Sequence, residues 1–254
     1  MKVFSICGYS GSGKTTTAEN LIRALTARGY RVGSVKEIHA DDFALDGDPA
    51  GDTCRHRDAG AALVTARGLA ETDVLFPAKL DMRKILSFYD GFDYVLCESV
   101  RDLPLPMIVT ADSVEDLEKN WSDYVFCVSG RIADSLDEYR GIPAFSALSN
   151  AAVPADIARL ADLVEAKVYD MLPGFDAQSC GACGGDCLEM GKKILRGQAK
   201  RSDCASGPET ELTIDGRRAP LVPFVQKTLR GCLLGYLREL KGYRDGAEII
   251  LRLR

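Results

Sequence analysis

An α/β fold with a doubly wound, mainly parallel sheet is predicted by three features of the sequence. Short apolar runs alternate with amphipathic stretches over the first two thirds of the chain, as strands joined by helical crossovers do. A glycine-rich stretch, "GYSGSGKT", sits between the first apolar run and the first amphipathic one. A later apolar run, "FDYVLCES", ends on a carboxylate, Glu98. Ligands of such sheets bind at the carboxyl ends of the strands, where the second and third features both fall.

The elements follow in order. "KVFSIC" is short, apolar and bounded by glycine, and reads as a buried strand. Gly8 to Thr15 match the spacing G-x-x-x-x-G-K-[ST] of a P-loop, in the required place after a strand and before a helix. Gly8, Gly11 and Gly13 let the backbone curl so that its N–H groups face phosphate oxygens. The helix "KTTTAENLIRALTARG" adds its positive end and carries Ala18, Leu21 and Leu25 on one face. Lys14 is placed to reach β- and γ-phosphates, and the Thr15 hydroxyl to ligate Mg²⁺. Glu98 is the expected carboxylate for the Mg²⁺ shell or an attacking water. The expected nucleotide contacts are Gly8, Gly11, Ser12, Gly13, Lys14, Thr15 and Thr16, with Lys14, Thr15 and Glu98 as the catalytic set. Together these features predict a P-loop NTPase fold.

"YRVGSVK", "AALVTA", "LPMIVTA" and "DYVFCVS" read as further strands. "LDMRKILSFYD", "SVEDLEKN" and "PADIARLADLVEAKVYDML" read as helices, the last with Ile157, Leu160, Val164, Val168 and Met171 along one buried face. Between Glu37 and Arg57 lies a long acidic stretch rich in glycine, read as a loop that is either functional or simply solvated. Asp46, Asp52, Arg55, His56 and Arg57 are its candidates for nucleotide or metal contact. His39 and His56 are the only histidines and lack ligand spacing, so each reads as a polar loop residue.

Composition bounds the function. The 254 residues are 46% hydrophobic and 27% charged, which suits a globular protein of one large domain plus a small one. No apolar run has the roughly 20 residues of a membrane helix. The chain enters "KVFSIC" at once, too soon for a signal peptide, and a cytoplasmic location is expected. A formal net charge of −5 argues against nucleic acid as a partner. That charge is uneven. From Gly174 onward there are 14 Lys and Arg against 10 Asp and Glu; before it there are 18 against 27. The division expected is 1–172 for the nucleotide-binding domain and 173–254 for a second, smaller unit.

The P-loop, "VGSVK" on the second strand, the stretch "GDTCRHRDAGA" and Glu98 together resemble the molybdopterin-guanine dinucleotide biosynthesis protein B (MobB) family, from Met1 to about Leu172. The resemblance implies a P-loop fold, a homodimer, GTP binding, and a part in guanylation or delivery of the molybdenum cofactor. It implies nucleotide and Mg²⁺ roles for Gly8 to Thr15 and Glu98. Two positions depart from the family pattern. Glu37 stands where histidine tends to follow the strand-two lysine, and Ser99-Val100 where Gly-Phe tends to follow the glutamate. No Asn-Lys-x-Asp tetrad for reading guanine occurs. GTP over ATP therefore rests on the resemblance.

After the break at Pro173-Gly174, Cys180, Cys183 and Cys187 gather on one glycine-rich turn, and Cys204 follows after sixteen intervening residues. In a reducing compartment four such thiols point to a metal site rather than disulfides. Structural zinc usually draws ligands in two separated pairs. Three thiols from one loop and one from afar suit an iron–sulfur cluster better, and a [4Fe-4S] cube best, with zinc as the competing reading. The stretch also resembles small iron–sulfur modules of the form C-G-x-C-G-x-x-C…C. Asp186 is an expected cap for the helix "CLEMGKKILRG" and Gly197 its stop. Lys192, Lys193, Arg196, Lys200 and Arg201 flank the thiols, either to offset their charge or as a solvated face. Cys7, Cys97, Cys127 and Cys232 read as buried small hydrophobes. The tail reads as a hairpin turning at Asp215-Gly216, a helix from Pro223 with Val225, Leu229, Cys232, Leu233, Tyr236 and Leu240 on one face, and a strand "AEIILRLR".

The function expected is a weakly NTP-hydrolysing accessory protein of molybdenum or tungsten cofactor maturation that carries a [4Fe-4S] cluster. Its partners would be the nucleotide, the molybdopterin-type cofactor and the enzyme that receives it. The alternatives are an ATP-driven electron donor to a low-potential metalloenzyme, and a zinc-stapled nucleotide switch.

Overall fold

The computed structural model describes residues 1–40, 51–148, 155–174, 185–204, 212–214, 217–219 and 223–244. A five-stranded sheet organises the first part. Its strands are β1 (Lys2–Cys7), β2 (Val32–Lys36), β5 (Tyr94–Glu98), β6 (Met107–Thr110) and β7 (Val125–Ser129), in the order β2-β5-β1-β6-β7. Every pairing in it is parallel. The doubly wound parallel sheet expected from the alternating pattern is therefore present.

The chain first crosses from β1 to β2 on one side, through α1 (Lys14–Ala27), and later from β5 to β6 on the other. The strand order thus reverses at β1, so the loops after β1, β5 and β6 meet at one point. Burial explains why these runs are strands. Along β5, Tyr94 and Leu96 enter the core beneath α1 and α5 (Ala155–Lys167), while Val95 and Cys97 enter a second core on the opposite face against Leu86 of α3 (Met82–Ser87). A strand apolar on both faces must be sandwiched by helices. Arg28 at the end of α1 pairs with Asp162 and Glu165 of α5 at 2.8 and 2.7 Å, which ties the two helices together.

Four expectations are corrected. "AALVTA" gives a strand, β3 (Val64–Arg67), but it pairs antiparallel with β4 (Thr72–Leu75) as a hairpin outside the main sheet. Of its apolar residues Val64 is buried, while Val74 and Leu69 are exposed. The stretch read as a loop up to Arg57 contains a two-turn helix, α2 (Asp52–Asp58), with Asp52 at its positive end and Arg55, His56 and Arg57 at its negative end. Asp46 lies outside the described residues. α5 stops at Lys167, short of Val168 and Met171. The chain turns there because Asp170 forms a bridge with Lys2, and its carboxylate takes the terminal ammonium of Met1 at 3.1 Å. Finally, Cys232 is exposed, whereas Cys7, Cys97 and Cys127 are buried as expected.

α4 (Val114–Lys119) begins at Ser113, whose side chain accepts from the Asp116 N–H, and a short hairpin of β8 (Glu138–Tyr139) and β9 (Ile142–Pro143) follows β7. Beyond Pro173, α6 (Cys187–Leu195) starts where expected, with the Asp186 carboxylate accepting from the Leu188 N–H, and Gly197 ends it in the left-handed region at φ 71°. This helix packs against the parallel-sheet part of the chain. Leu195 belongs to the main core, Tyr124 donates to the Leu188 carbonyl at 2.8 Å, and Lys192 and Arg196 both pair with Asp123. At Gly191 a Cβ would run into the Tyr169 hydroxyl, so this glycine sets how closely α6 can approach. Leu195→Ala should therefore lower the stability of the whole fold by about 2–5 kcal/mol, read from thermal or denaturant unfolding. A helix merely tethered to the domain would leave the main transition unmoved. The antiparallel pair β10 (Leu212–Ile214) and β11 (Arg217–Ala219) and the helix α7 (Pro223–Leu237) match the hairpin and helix expected of the tail. Residues 245–254, with the expected last strand, lie outside the described residues. Among the described residues no helix is long and apolar enough to cross a membrane.

Candidate functional site: a phosphate loop at the strand switch point

The loop from Gly8 to Gly13 leaves β1 between β5 and β6 and runs into α1. Gly11 and Gly13 have φ of 82° and 98°, values that cost a side chain energy but glycine nothing. Gly8 is buried against β6, where a Cβ would collide with the Thr110 carbonyl and hydroxyl. Ser12, 1% exposed, is the loop's internal anchor. Its hydroxyl donates to the Tyr9 carbonyl at 2.8 Å and shares a 2.7 Å hydrogen bond with the Thr110 hydroxyl. Of the expected contacts, Gly8 and Ser12 are thus inner supports, while Lys14 and Thr15 sit at the open start of α1. Thr16 is half-buried beside them, and Thr17, not Thr16, is the first-turn threonine sealed in the core.

Thr15 and Glu98 meet. The Thr15 hydroxyl donates to Glu98 Oε1 at 2.8 Å, across 83 residues of sequence. Glu98 is buried at the end of β5 and also holds the Lys36 ammonium at 3.1 Å. Adjacent oxygen ligands of an octahedral ion with bonds of 2.0–2.1 Å stand about 2.9 Å apart. The Thr15–Glu98 pair has that spacing, so the residues present fit Mg²⁺. Lys14 Nζ donates to the Tyr9 carbonyl at 2.6 Å, inside the loop. Its pKa is lowered, first by burial and then by the nearby cations Arg101 and Lys36, against the raising effect of Glu98. Three cations around one buried carboxylate leave a surplus of positive charge, which suits a polyanionic phosphate chain.

Several residues here were not foreseen from sequence. Arg101 reaches back from the loop after β5 and donates to the Gly8 carbonyl at 2.9 Å. Ser99, already noted above as a departure from the family pattern, is in the left-handed region at φ 66°, uncommon for a residue with a side chain and a frequent mark of functional loops. Thr110 closes β6 beneath the loop, and Gly130 lies against Ser12 from the end of β7. The signal available in sequence was position: each ends or follows a strand whose carboxyl end faces the loop. Glu37, one of the two departures noted above, accepts from Lys79 at 2.6 Å and sends its N–H to the Glu98 carbonyl at 2.9 Å.

The loop helix α2 carries Cys54 in the core at 1% exposed, while Arg55 pairs with Asp52 and Arg57 with Asp58. The described structure therefore gives Arg55 and Arg57 local partners on their own helix.

The two described cysteines of the C-terminal set, Cys187 and Cys204, are at the other end of the sheet. Cys187 opens α6, Cys204 ends the turn after it, and both are buried in one small apolar cluster with Leu172. Cys180 and Cys183 lie outside the described residues. Among the described residues no three His, Cys, Asp or Glu side chains converge as a metal site. A shallow crevice opens beside Cys187, between Leu188, Val3, Leu105, Tyr124 and Tyr169. Val3, Leu105 and Tyr124 lie where β1, β6 and β7 begin, whereas the phosphate loop lies where they end. Gly8 lies five strand steps beyond Val3, about 16 Å at roughly 3.3 Å per residue. Of the basic residues flanking the cysteines, Lys192 and Arg196 are used on Asp123, and Arg201 donates to the Asp170 carbonyl.

Residues 3–124 match the sequence model of the family described as molybdopterin guanine dinucleotide synthesis protein B, MobB. A Methanocaldococcus jannaschii protein, provisionally named a molybdopterin-guanine dinucleotide biosynthesis adapter protein, is 26% identical over 251 residues, covering 95% of this chain and 93% of its own. The Escherichia coli molybdopterin-guanine dinucleotide biosynthesis adapter protein is 33% identical over 114 residues, 42% of this chain and 63% of its own. The crystal structure of Bacillus subtilis MobB superposes with a TM-score of 0.55 at 21% identity, over 67% of this chain and all of that one. That likeness concerns the fold; the sequence match and the adapter relatives concern the family. Over residues 3–124, then, the chain is similar in sequence to the MobB family.

Proposed function

We propose that the chain is an adapter of molybdopterin-guanine dinucleotide biosynthesis that binds a nucleoside triphosphate with Mg²⁺ at the P-loop and hydrolyses it slowly. The observation that carries this reading is the Thr15–Glu98 hydrogen bond, which joins the end of the phosphate loop to the end of β5 with the spacing of two magnesium ligands. Bound there, Mg²⁺ would neutralise phosphate charge. Lys14 leaves the Tyr9 carbonyl to meet the β- and γ-oxygens, and the loop's N–H groups and the start of α1 complete the cradle. GTP is the nucleotide favoured, on the strength of the family alone. The molybdopterin cofactor, the enzyme that receives it and a second copy of the chain are the partners that go with this reading.

The same proposal gives the segment from residue 173 onward a [4Fe-4S] cluster on Cys180, Cys183, Cys187 and Cys204. Its support is the sequence spacing and the burial of Cys187 and Cys204 together in one apolar cluster. Its position at the amino end of the sheet weighs against a direct meeting of cluster and nucleotide. Whatever passes between them passes through the fold.

The test is the iron, zinc and sulfide content of anaerobically purified protein, beside its Mg²⁺-dependent turnover of GTP and ATP. About four iron and four sulfide per chain is the expected result. One zinc without sulfide would overturn the cluster, and absence of binding to either triphosphate would overturn the nucleotide reading.

A further inference from the structure

Three successive residues after Glu98 are fastened to three successive residues at the end of β1. The Ser99 N–H donates to the Ile6 carbonyl at 2.9 Å, the Cys7 thiol donates to the Val100 carbonyl at 3.3 Å, and Arg101 donates to the Gly8 carbonyl at 2.9 Å. The left-handed turn at Ser99 starts this run, and Val100 anchors it at 1% exposed. A loop bound this tightly does not wander; it delivers the Arg101 guanidinium to the mouth of the phosphate loop.

What the guanidinium does there is chemically incomplete. It has five N–H donors and is seated on a neutral carbonyl. Among the described residues it forms no ion pair, although Lys36 across the site has Glu98. A planar, permanently charged group at a phosphate loop matches a terminal phosphate better than it matches a carbonyl.

We propose that Arg101 is a phosphate-contacting residue of this site, placed by the Ser99 turn to grip the terminal phosphate of a nucleoside triphosphate bound at Gly8 to Thr15. This rests on the proposed nucleotide reading and deepens it: Arg101 tells a triphosphate from a diphosphate, and Lys14 and the loop backbone hold both.

The test is binding, with Mg²⁺ present, of guanosine diphosphate and a non-hydrolysable guanosine triphosphate analogue to the full chain and to Arg101→Ala and Arg101→Lys. Arg101→Ala should weaken the triphosphate analogue about 10- to 100-fold, the loss expected for a hydrogen-bonded charge. Its diphosphate affinity should stay within about twofold of the parent. Arg101→Lys should fall between the two, since it keeps the charge and loses the fork. If Arg101 only clamps the Gly8 carbonyl, both nucleotides weaken together, and the proposal fails. Unchanged affinity for both overturns it equally. Binding of neither nucleotide by the unaltered chain overturns the nucleotide reading and this proposal with it. Arg101 is exposed, so the variants are expected to fold, which a thermal unfolding curve checks.

Discussion

Lys14→Ala is expected to lower Mg²⁺-dependent triphosphate turnover at least about 10²- to 10³-fold, the usual cost of removing one preorganised group that stabilises developing charge. The basis is where Lys14 sits. It follows Gly13, whose φ of 98° turns the chain into α1, and its ammonium already lies within the loop on the Tyr9 carbonyl. Burial and the neighbouring cations disfavour its charged form, so an incoming phosphate relieves a strain that is present beforehand. The fold should not suffer, because Lys14 contributes nothing to the core. Turnover measured at saturating nucleotide, with a matched unfolding curve, checks both halves. Unchanged turnover would remove the P-loop from the mechanism and leave the chain a non-hydrolysing binder.

The two ends of the sheet divide the labour of the molecule. At the carboxyl end, polar groups from β1, β5, β6 and β7 converge on one loop, with a net surplus of cations. At the amino end, α6 covers the strand starts with apolar and aromatic contacts, and Cys187 at its first turn is buried together with Cys204. β1 runs the full distance between them.

What was legible in the sequence was whatever is local. The P-loop, α1 and the strand ending at Glu98 were read directly, because glycine spacing, helical period and apolar runs act within about 15 residues. The cap at Asp186 and the stop at Gly197 were read for the same reason. Several features were misread or missed, each through a contact that sequence spacing does not reveal. The hairpin β3–β4 has the same alternation as a sheet strand, and only the absence of a neighbour sets it apart. α5 ends early because Asp170 finds Met1 and Lys2, more than 160 residues away in sequence. Cys232 lies on a helix with the right period, but its face is exposed. Arg101 and Thr110 belong to the site through bonds spanning 93 and 98 residues. The chemistry of a loop is written in its motif. Its supports are written in strands that end beside it.

Gly130→Ala should expose that second kind of dependence. Gly130 follows β7 with φ 84° and ψ −163°, a region essentially closed to residues with side chains. A Cβ there would strike the Ser12 carbonyl of the phosphate loop and lie 2.9 and 3.0 Å from the Ala111 nitrogen and oxygen. All three are backbone atoms, so no rotamer change relieves the collision. Backbone strain and overpacking together should cost at least about 3 kcal/mol, roughly 6–12 °C in the unfolding midpoint of a chain this size. Gly60→Ala is the matched control. Gly60 has φ 99° but open space where its Cβ would go, so only the strain, about 1–2 kcal/mol, applies. The difference between the two variants isolates the push on Ser12. Nucleotide affinity should fall in Gly130→Ala even under conditions where the protein is fully folded, because Ser12 sets the curl of the loop through Tyr9 and Thr110. In Gly60→Ala it should hold. Equal behaviour of the two variants would mean that Gly130 is a turn like any other. Loss confined to Gly130→Ala would make the β7 end a structural part of the nucleotide site, although no motif in the sequence marks it.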